Sequence, residues 1–394
     1  MKRIQKIKEV CTISGGYAFK SNDFTRQGIP IIRIGDISGN KVNISSGTVF
    51  FEEYNEKLNK FIIEKGDILV ALSGATTGKF GIYDEEIQAL LNQRVAKISP
   101  KENINNKYLY HYMNKLQNII YNKALGCAQP NISPNEIGEI EIYVPSRLEQ
   151  DKISDVLDIA KDLIDKRKKQ IEELDLLVKS KFIEMFGDQN TNSKNLEKVY
   201  LKDISELITK GASPNWQGIE YVDDDTQTLF VTSENVREGY IDLSKKKYLM
   251  DAFNEKQKRS ILNNGDFLIN IVGASIGRAT QFNLDIKANI NQVVALVRIK
   301  KGLVNDKYML EYLNSPKALQ MYKSMQVSVA RANLSLQNIN DLEILLPPME
   351  LQNQFANFVK QVDKLKFEME KSLKELEDNF NSLMQKAFKG ELFK

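Results

Sequence analysis

One histidine, His111, and two cysteines, Cys11 and Cys127, are all that 394 residues contain of the side chains that most often carry metal or redox chemistry. The cysteines lie in no CxxC spacing, and a single imidazole cannot complete a usual zinc site. No serine or cysteine nucleophile has a spare histidine for a base. No apolar run approaches the ~18 residues that a membrane span needs. The opening Met1-Lys2-Arg3-Ile4-Gln5-Lys6 is too charged for a signal peptide. An excess of one charge is missing too: 55 basic residues face 52 acidic ones, for a net charge of +3. Residues 1–146 carry 18 basic and 15 acidic groups, and 188–348 carry 20 and 19. These shortages describe a reduced, cytosolic chain with no metal and no cofactor of its own. Bulk charge is excluded as a route to DNA, so nucleic-acid binding must use local patches.

What the chain does have is a long helix, read from Arg147 to Phe186, with no Pro or Gly inside and Gly187 to stop it. Three- and four-residue steps pick out Leu157, Ala160, Ile164, Arg167, Ile171, Leu174, Val178, Lys181 and Met185. Seven of these nine are apolar, which is a coiled-coil seam rather than the broader stripe of a globular helix. Adding 202 gives Val359, Val362, Lys366, Met369, Leu373, Leu376, Phe380, Leu383 and Ala387, of which eight are apolar. One long amphipathic helix cannot bury its seam alone, so each supplies the other's partner. The first helix ends where a domain begins and the second starts where that domain ends. Packed side by side they must run antiparallel, as a rod of about 60 Å with a domain at each end.

The domains repeat each other. Gly66-Asp67-Ile68-Leu69 returns as Gly265-Asp266-Phe267-Leu268, Gly74 to Lys79 as Gly273 to Arg278, and Asn92-Gln93 as Asn291-Gln292, all at a spacing of 199. Lys107-Tyr108 then matches Lys307-Tyr308, Asn131-Ile132-Ser133 matches Asn333-Leu334-Ser335, and Pro145 matches Pro347. This organisation gives 1–146 as a first domain, 147–187 as a central helix, 188–348 as a second domain and 349–394 as a C-terminal helix. The fold class is α+β: two similar mixed α/β domains joined by two long antiparallel coiled-coil helices, with a pseudo-twofold internal repeat. Between the anchors the halves diverge: Ser14 to Lys20 corresponds to Thr209 to Trp216, and Asp223-Asp224-Asp225 is inserted in the second. A retained framework with changed loops suggests one scaffold reading two targets.

The block Gly74-Ala75-Thr76-Thr77-Gly78-Lys79 imitates a phosphate-binding P-loop but has three residues between its glycines instead of four. Phe80 also stands where a magnesium-binding hydroxyl belongs. It reads instead as a tight turn whose small residues let backbone and one cation approach something closely, with DNA phosphate a candidate. His111, between Tyr110 and Tyr112 on a helix, reads as a packing residue. With no catalytic constellation, the chain binds and positions.

These features together resemble the DNA-specificity subunit of type I restriction-modification enzymes. The matching residues are the Gly-Asp-Ile-Leu…Ser-Gly-x-x-x-Gly-Lys block at 66–79, Pro-Ser-Arg-Leu-Glu-Gln at 145–150, their repeats at 265–278 and 347–352, and Lys-Ala-Phe-Lys-Gly at 386–390. The resemblance covers essentially the whole chain. It implies two target recognition domains, each reading one half of a split, asymmetric double-stranded DNA site. It also implies that the paired helices set the spacing and dock two methyltransferase subunits, with restriction subunits as possible further partners. The second helix start, Met349-Glu350-Leu351-Gln352, departs from Arg147-Leu148-Glu149-Gln150. Base readers need Arg, Asn, Gln or Lys on loops that enter a groove. The candidates are Lys20, Lys79, Gln129 and Asn131 in the first domain, and Lys210, Asn215, Arg278, Arg331 and Asn333 in the second. Lys79 and Arg278 are assigned to phosphate. The alternative within binding is a stand-alone regulator of a split operator.

Overall fold

The computed structural model describes residues 4–52, 56–125, 129–325 and 333–393. Among them five helices reach eight residues: α1 (Asn106–Ala124), α2 (Arg147–Phe186), α3 (Asp306–Leu313), α4 (Pro316–Ser324) and α5 (Met349–Lys389). The chain gathers into two compact units, Met1–Lys168 with Lys371–Lys394, and Lys169–Glu370. Each unit thus takes half of α2 and half of α5 along with its sheets. The helix ends are part of the domain cores, which is the physical reason for the division.

In the first unit a six-stranded sheet runs Cys11–Gly15, Val95–Pro100, Ile68–Ala71, Phe80–Ile82, Asn40–Val42, Ile37–Ser38. A second sheet orders Val49–Phe51, Ile29–Ile32, Ala89–Leu91, Ile62–Ile63, its middle pair parallel. Ile4–Lys6 pairs antiparallel with Glu141–Tyr143, so the domain opens and closes on adjacent strands. The central strand Ile68–Ala71 is buried on every residue, which explains its continuous apolar run. Helix α1 lays Leu109, Met113, Leu116 and Ile120 into the same core as Ile153 and Leu157 of α2 and Ala387 and Phe388 of α5.

The second unit repeats the plan. Ser205–Lys210, Val294–Ile299, Phe267–Asn270 and Ala279–Gln281 form one sheet. Tyr221–Val222, Tyr248–Leu249, Thr228–Val231 and Ala288–Ile290 form another. Glu197–Tyr200 pairs with Glu343–Leu346 as the entry and exit strands. The single helix α1 is matched here by two, α3 and α4, because Pro316 cannot continue a helix and Ser315 caps a new one by accepting from Ala318 N at 3.2 Å. Phe182 and Phe186 of α2 meet Phe355 of α5 and Tyr308 of α3 in one aromatic cluster.

Within each unit the paired helices run antiparallel. In the second, Asp175 lies against Lys366 at 2.6 Å, and Phe182, further along α2, meets Phe355, earlier along α5. In the first, Lys168 pairs with Glu377 at 2.8 Å. Seam positions Leu157, Ile164, Leu174, Val359 and Val362 are buried, and Ile171, Val178, Leu373, Leu376, Phe380 and Leu383 are half-buried. Near the domains the apolar stripe is wider than a seam, because Ile153, Phe182, Phe186 and Phe355 bury side chains off the heptad positions.

The repeated motifs turn out to be framework. Asp67 accepts from Glu64 N at 2.8 Å and from Lys97 Nζ at 3.2 Å; Asp266 accepts from Asn263 N and from Arg298, both at 2.7 Å. Asn105 and Asn305 cap α1 and α3.

Candidate nucleic-acid interface

Four loops of the first unit are tied into one ledge by main-chain hydrogen bonds. Tyr17 N donates to Leu91 O at 2.8 Å, and Gln93 N donates back to Tyr17 O at 2.9 Å. Leu72 N donates to Arg94 O, Gly74 N to Pro130 O, and Ile132 N to Leu72 O, at 2.9, 2.9 and 3.0 Å. Thr77 Oγ1 reaches Gly74 O at 2.8 Å and Pro130 O at 3.1 Å. The approach is close enough at Gly16 that a Cβ would lie 2.2 Å from Asn92 O, so only glycine fits there. The second unit builds the same ledge: Ile271 N donates to Val293 O at 3.0 Å, Leu334 N to Ile271 O at 2.8 Å, and a Cβ on Gly211 would lie 1.7 Å from Ile290 O.

Most of the expected readers emerge on these ledges. Lys79 and Arg278 are exposed, end equivalent turns, and have no carboxylate partner among the described residues. Gln129 is exposed beside Pro130. Asn131 and Asn333 make bridges to Ser73 and Val272 through the main chain, leaving their side chains exposed with no hydrogen bond among the described residues. Lys210 ends a sheet strand one residue before Gly211, and Asn215 opens the exposed turn Asn215–Gln217. Lys20 is exposed beyond a cluster of Tyr17, Phe19, Phe51 and Phe61 rings. Arg331 lies outside the described residues, as do positions 126–128 of the loop before Gln129.

One reading needs correcting. Gly78 and Gly277 do permit a close approach, but to the protein itself. A Cβ on Gly78 would lie 2.7 Å from Gln117 O on α1, and one on Gly277 2.5 Å from Tyr322 on α4. Within these two turns it is Gly74 and Gly273, with φ of +78° and +80°, that face open space. Gln93, Arg94 and Gln292 are not among the base readers expected from sequence, yet they are exposed at the ledge. Their signal was the repeat itself: Asn92 and Asn291 each close a tight turn, accepting from Arg94 N at 3.3 Å and Val293 N at 3.2 Å. The asparagine is therefore framework and its neighbour is free.

His111 belongs to the helix footing instead. It is 2% exposed and its Nε2 lies 2.6 Å from Asp158 Oδ1 of α2, which Lys107 also reaches at 2.8 Å. Burial pushes the imidazole below its usual range, against the pull of Asp158. Among the described residues no cluster of His, Cys, Asp and Glu could hold a metal ion, and no helix is long and apolar enough to cross a membrane.

The model of the type I restriction modification DNA specificity domain matches twice, over residues 2–175 and 193–378. The chain belongs to this family. Its relatives include the EcoBI specificity subunit of Escherichia coli, 24% identical over 97% of this chain and 84% of that one. The MjaIX specificity subunit of Methanocaldococcus jannaschii is 25% identical over 99% and 93%. Among solved structures, a chain from work on complex assembly and conformational transition of the type I restriction-modification system shares the fold. It has a TM-score of 0.65 and 17% identity, covering 99% of this chain and 98% of that one. As a member of this family the chain is a DNA-specificity component and not the catalyst. The two domain matches are the two copies that the internal repeat marks out.

Proposed function

We propose that each ledge reads one half of a bipartite DNA site, the first through Lys20, Gln93, Arg94, Gln129 and Asn131, the second through Lys210, Asn215, Gln292 and Asn333. Lys79 and Arg278 hold phosphate in both. The observation carrying this reading is the division of labour within the repeat. Side chains that hold the two frameworks, such as Asp67 and Asp266, are paired, while the ledge cations Lys79, Arg94, Lys210 and Arg278 have no carboxylate partner among the described residues. An unpaired cation on a rigid loop is a phosphate or base contact in waiting. Because the exposed residues differ between the ledges, the two half-sites differ and the site is asymmetric.

The reading places two methyltransferase subunits on the paired helices, with restriction subunits as further partners, in the cytoplasm where the DNA is. Support comes from the outer faces of the helices. Ile159, Leu176 and Ile183 of α2 are 63%, 62% and 57% exposed, and Phe367 of α5 is 65% exposed. A near-neutral specificity chain fits such sharing, because partners can supply much of the phosphate contact.

Methylation mapped across the host genome with and without this gene tests the function. The expected loss is one split, asymmetric motif with a fixed gap. An unchanged methylome, or loss of an unsplit motif, overturns it.

A further inference from the structure

Trp216 is the one tryptophan of the chain and, at 86% exposed, the most exposed large apolar side chain among the described residues. Its display is built into the loop. Pro214 and Ile219 on either side are buried, and Gln217 N and Ile219 N both donate to Pro214 O, at 2.9 and 3.1 Å. Gly218 closes the turn in the left-handed region at φ +67°, and Lys256 Nζ donates to Gln217 O at 2.7 Å. Ile219 and Ala212 pack into a small core with Phe230, Leu249 and Phe253. The shoulders of the turn are fixed, and the indole between them is thrust into solvent.

The surroundings indicate what covers it. The same loop starts at Gly211, wedged on Ile290 O, so it is continuous with the second ledge. Strand Ser205–Lys210 packs against the turn Lys258–Ser260. Segments 210–220 and 252–260 together hold Lys210, Lys256, Lys258 and Arg259 against Glu220 and Glu255. Lys210, Lys258 and Arg259 have no carboxylate partner among the described residues. An exposed aromatic face with Lys256 tied to its own turn, and with Lys210, Lys258 and Arg259 on the adjoining segments, matches a nucleic acid, whose bases offer π-faces and whose phosphates offer the charge. In the corresponding stretch of the first domain Phe19 turns inward to 7% exposure and Tyr17 is 42% exposed, about half the exposure of Trp216.

We propose that Trp216 is a base-contacting residue of the second domain. Its indole enters the groove of the second half-site as an apolar wedge and lies on a base step, with Lys210, Lys258 and Arg259 on the flanking phosphates. The proposal rests on the second domain reading a half-site, and its test separates the two.

The complex of the full chain with its methyltransferase is titrated with three labelled duplexes: the mapped motif, the motif with its first half scrambled, and the motif with its second half scrambled. W216A is expected to weaken binding to the intact motif by roughly 5- to 150-fold, the equivalent of one lost base–aromatic stack, with W216F retaining part. The mutant's discrimination against the scrambled first half stays as in wild type, and its discrimination against the scrambled second half shrinks. The emission difference between wild-type and W216F complexes isolates this indole, and it should be quenched by the intact motif and not by the duplex with a scrambled second half. Unchanged affinity in W216A, or an indole emission that the motif does not alter, overturns the proposal while leaving half-site reading intact. Loss of methyltransferase assembly in W216A with normal DNA affinity of the remaining complex also overturns it, assigning the indole to a protein contact. Wild-type indifference to the scrambled second half would instead remove the reading on which the proposal stands.

Discussion

Gln150 and Gln352, 202 positions apart, perform the same closure at the start of the two long helices. Gln150 accepts from Asn105 N at 2.7 Å and donates to Pro145 O at 3.0 Å; Gln352 accepts from Asn305 N at 2.8 Å and donates to Pro347 O at 2.8 Å. Both are essentially buried, at 0% and 1% exposure. Each amide joins three things: the cap of the domain helix, the proline that ends the last strand, and the first turn of the long helix. The departure of Met349-Glu350-Leu351 from Arg147-Leu148-Glu149 leaves this joint untouched. It removes the Arg147 contacts to Glu102 O, Ile104 O and Asp151, at 3.2, 3.1 and 3.3 Å, and the bond that Glu149 accepts from Tyr143 OH at 3.0 Å.

Replacing either glutamine by leucine keeps the volume and orphans its partners. A buried polar group left unpaired costs about 1–3 kcal/mol. Gln150→Leu should be the worse of the two, because Gln150 also donates to Asn103 O at 3.0 Å. Urea unfolding of the full chain should show both variants destabilised in that order. Equal stability to wild type would mean the joint is incidental.

His111 makes stability depend on pH in a stated direction. Burial holds its folded pKa below the ordinary value of 6.5. Above that value the imidazole is neutral in both folded and unfolded chains, and its contribution is fully present. As pH falls below about 6.5 the unfolded chain takes up the proton first, and stability drops until the folded imidazole also titrates. Asp158 acts lower on the scale. Its burial opposes ionisation, but hydrogen bonds from Lys107 and His111 outweigh that and hold its pKa below 3.8, so its contribution is lost only in stronger acid. The expected result is a urea midpoint that falls between neutral and mildly acidic pH in wild type and falls less in His111→Gln. Parallel pH profiles for the two proteins would contradict this account.

Much of the scaffold was legible in the sequence, for identifiable reasons. Arg147 to Phe186 could be read end to end because a helix without Pro or Gly stops at a glycine, here Gly187 at φ +77°. The repeat marked Gly66 with Gly265 and Asn92 with Asn291, because such turn positions admit few residue types, while the caps at Asn105 and Asn305 emerged only from the fold. What could not be read was set by tertiary packing. Nothing local distinguishes Phe182, buried in the second core, from Ile183, 57% exposed one residue later. The sequence marks the glycine-rich turns as places of close approach, with DNA phosphate a candidate, and only the fold shows that Gly78 and Gly277 press on α1 and α4. Trp216 was noted merely as part of a divergent loop, since exposure of an aromatic residue leaves no mark in composition or period.

Lys79 and Arg278 give a prediction in salt. If each neutralises one phosphate, Lys79→Ala or Arg278→Ala should lower the slope of log affinity against log salt by about 0.9, because one fewer counterion is released. The weakening should be uniform across target sequences, since phosphate carries no base identity. The measurement is fluorescence anisotropy of the methyltransferase complex over a salt series. A changed base preference with an unchanged slope would transfer these residues from phosphate to base contact.

The last prediction uses the way the second domain is attached. Glu197 pairs with Leu346 and Tyr200 with Glu343 on neighbouring antiparallel strands, so the chain enters and leaves this domain at one place. The first domain does the same, with Ile4 opposite Tyr143 and Lys6 opposite Glu141. Exchanging residues 197–346 for the matching segment of a relative therefore crosses two chain connections that lie side by side. The exchanged segment meets α2 through Tyr308, which stacks on Phe182 at 5.4 Å between ring centres and meets Phe186 edge-on at 4.7 Å, and meets α5 through Asn305 and Lys307, paired with Gln352 and Asp363. A donor without an aromatic residue there would leave a cavity among Phe182, Phe186 and Phe355, at a cost of about 3–5 kcal/mol for a lost buried ring. A second chimera exchanging 182–359 carries the whole aromatic cluster and removes that conflict. Methylome sequencing of a strain expressing either chimera should show one half of the split motif replaced by the donor's half and the other half unchanged. Altered bases on both sides of the gap would show that the two domains do not read independently.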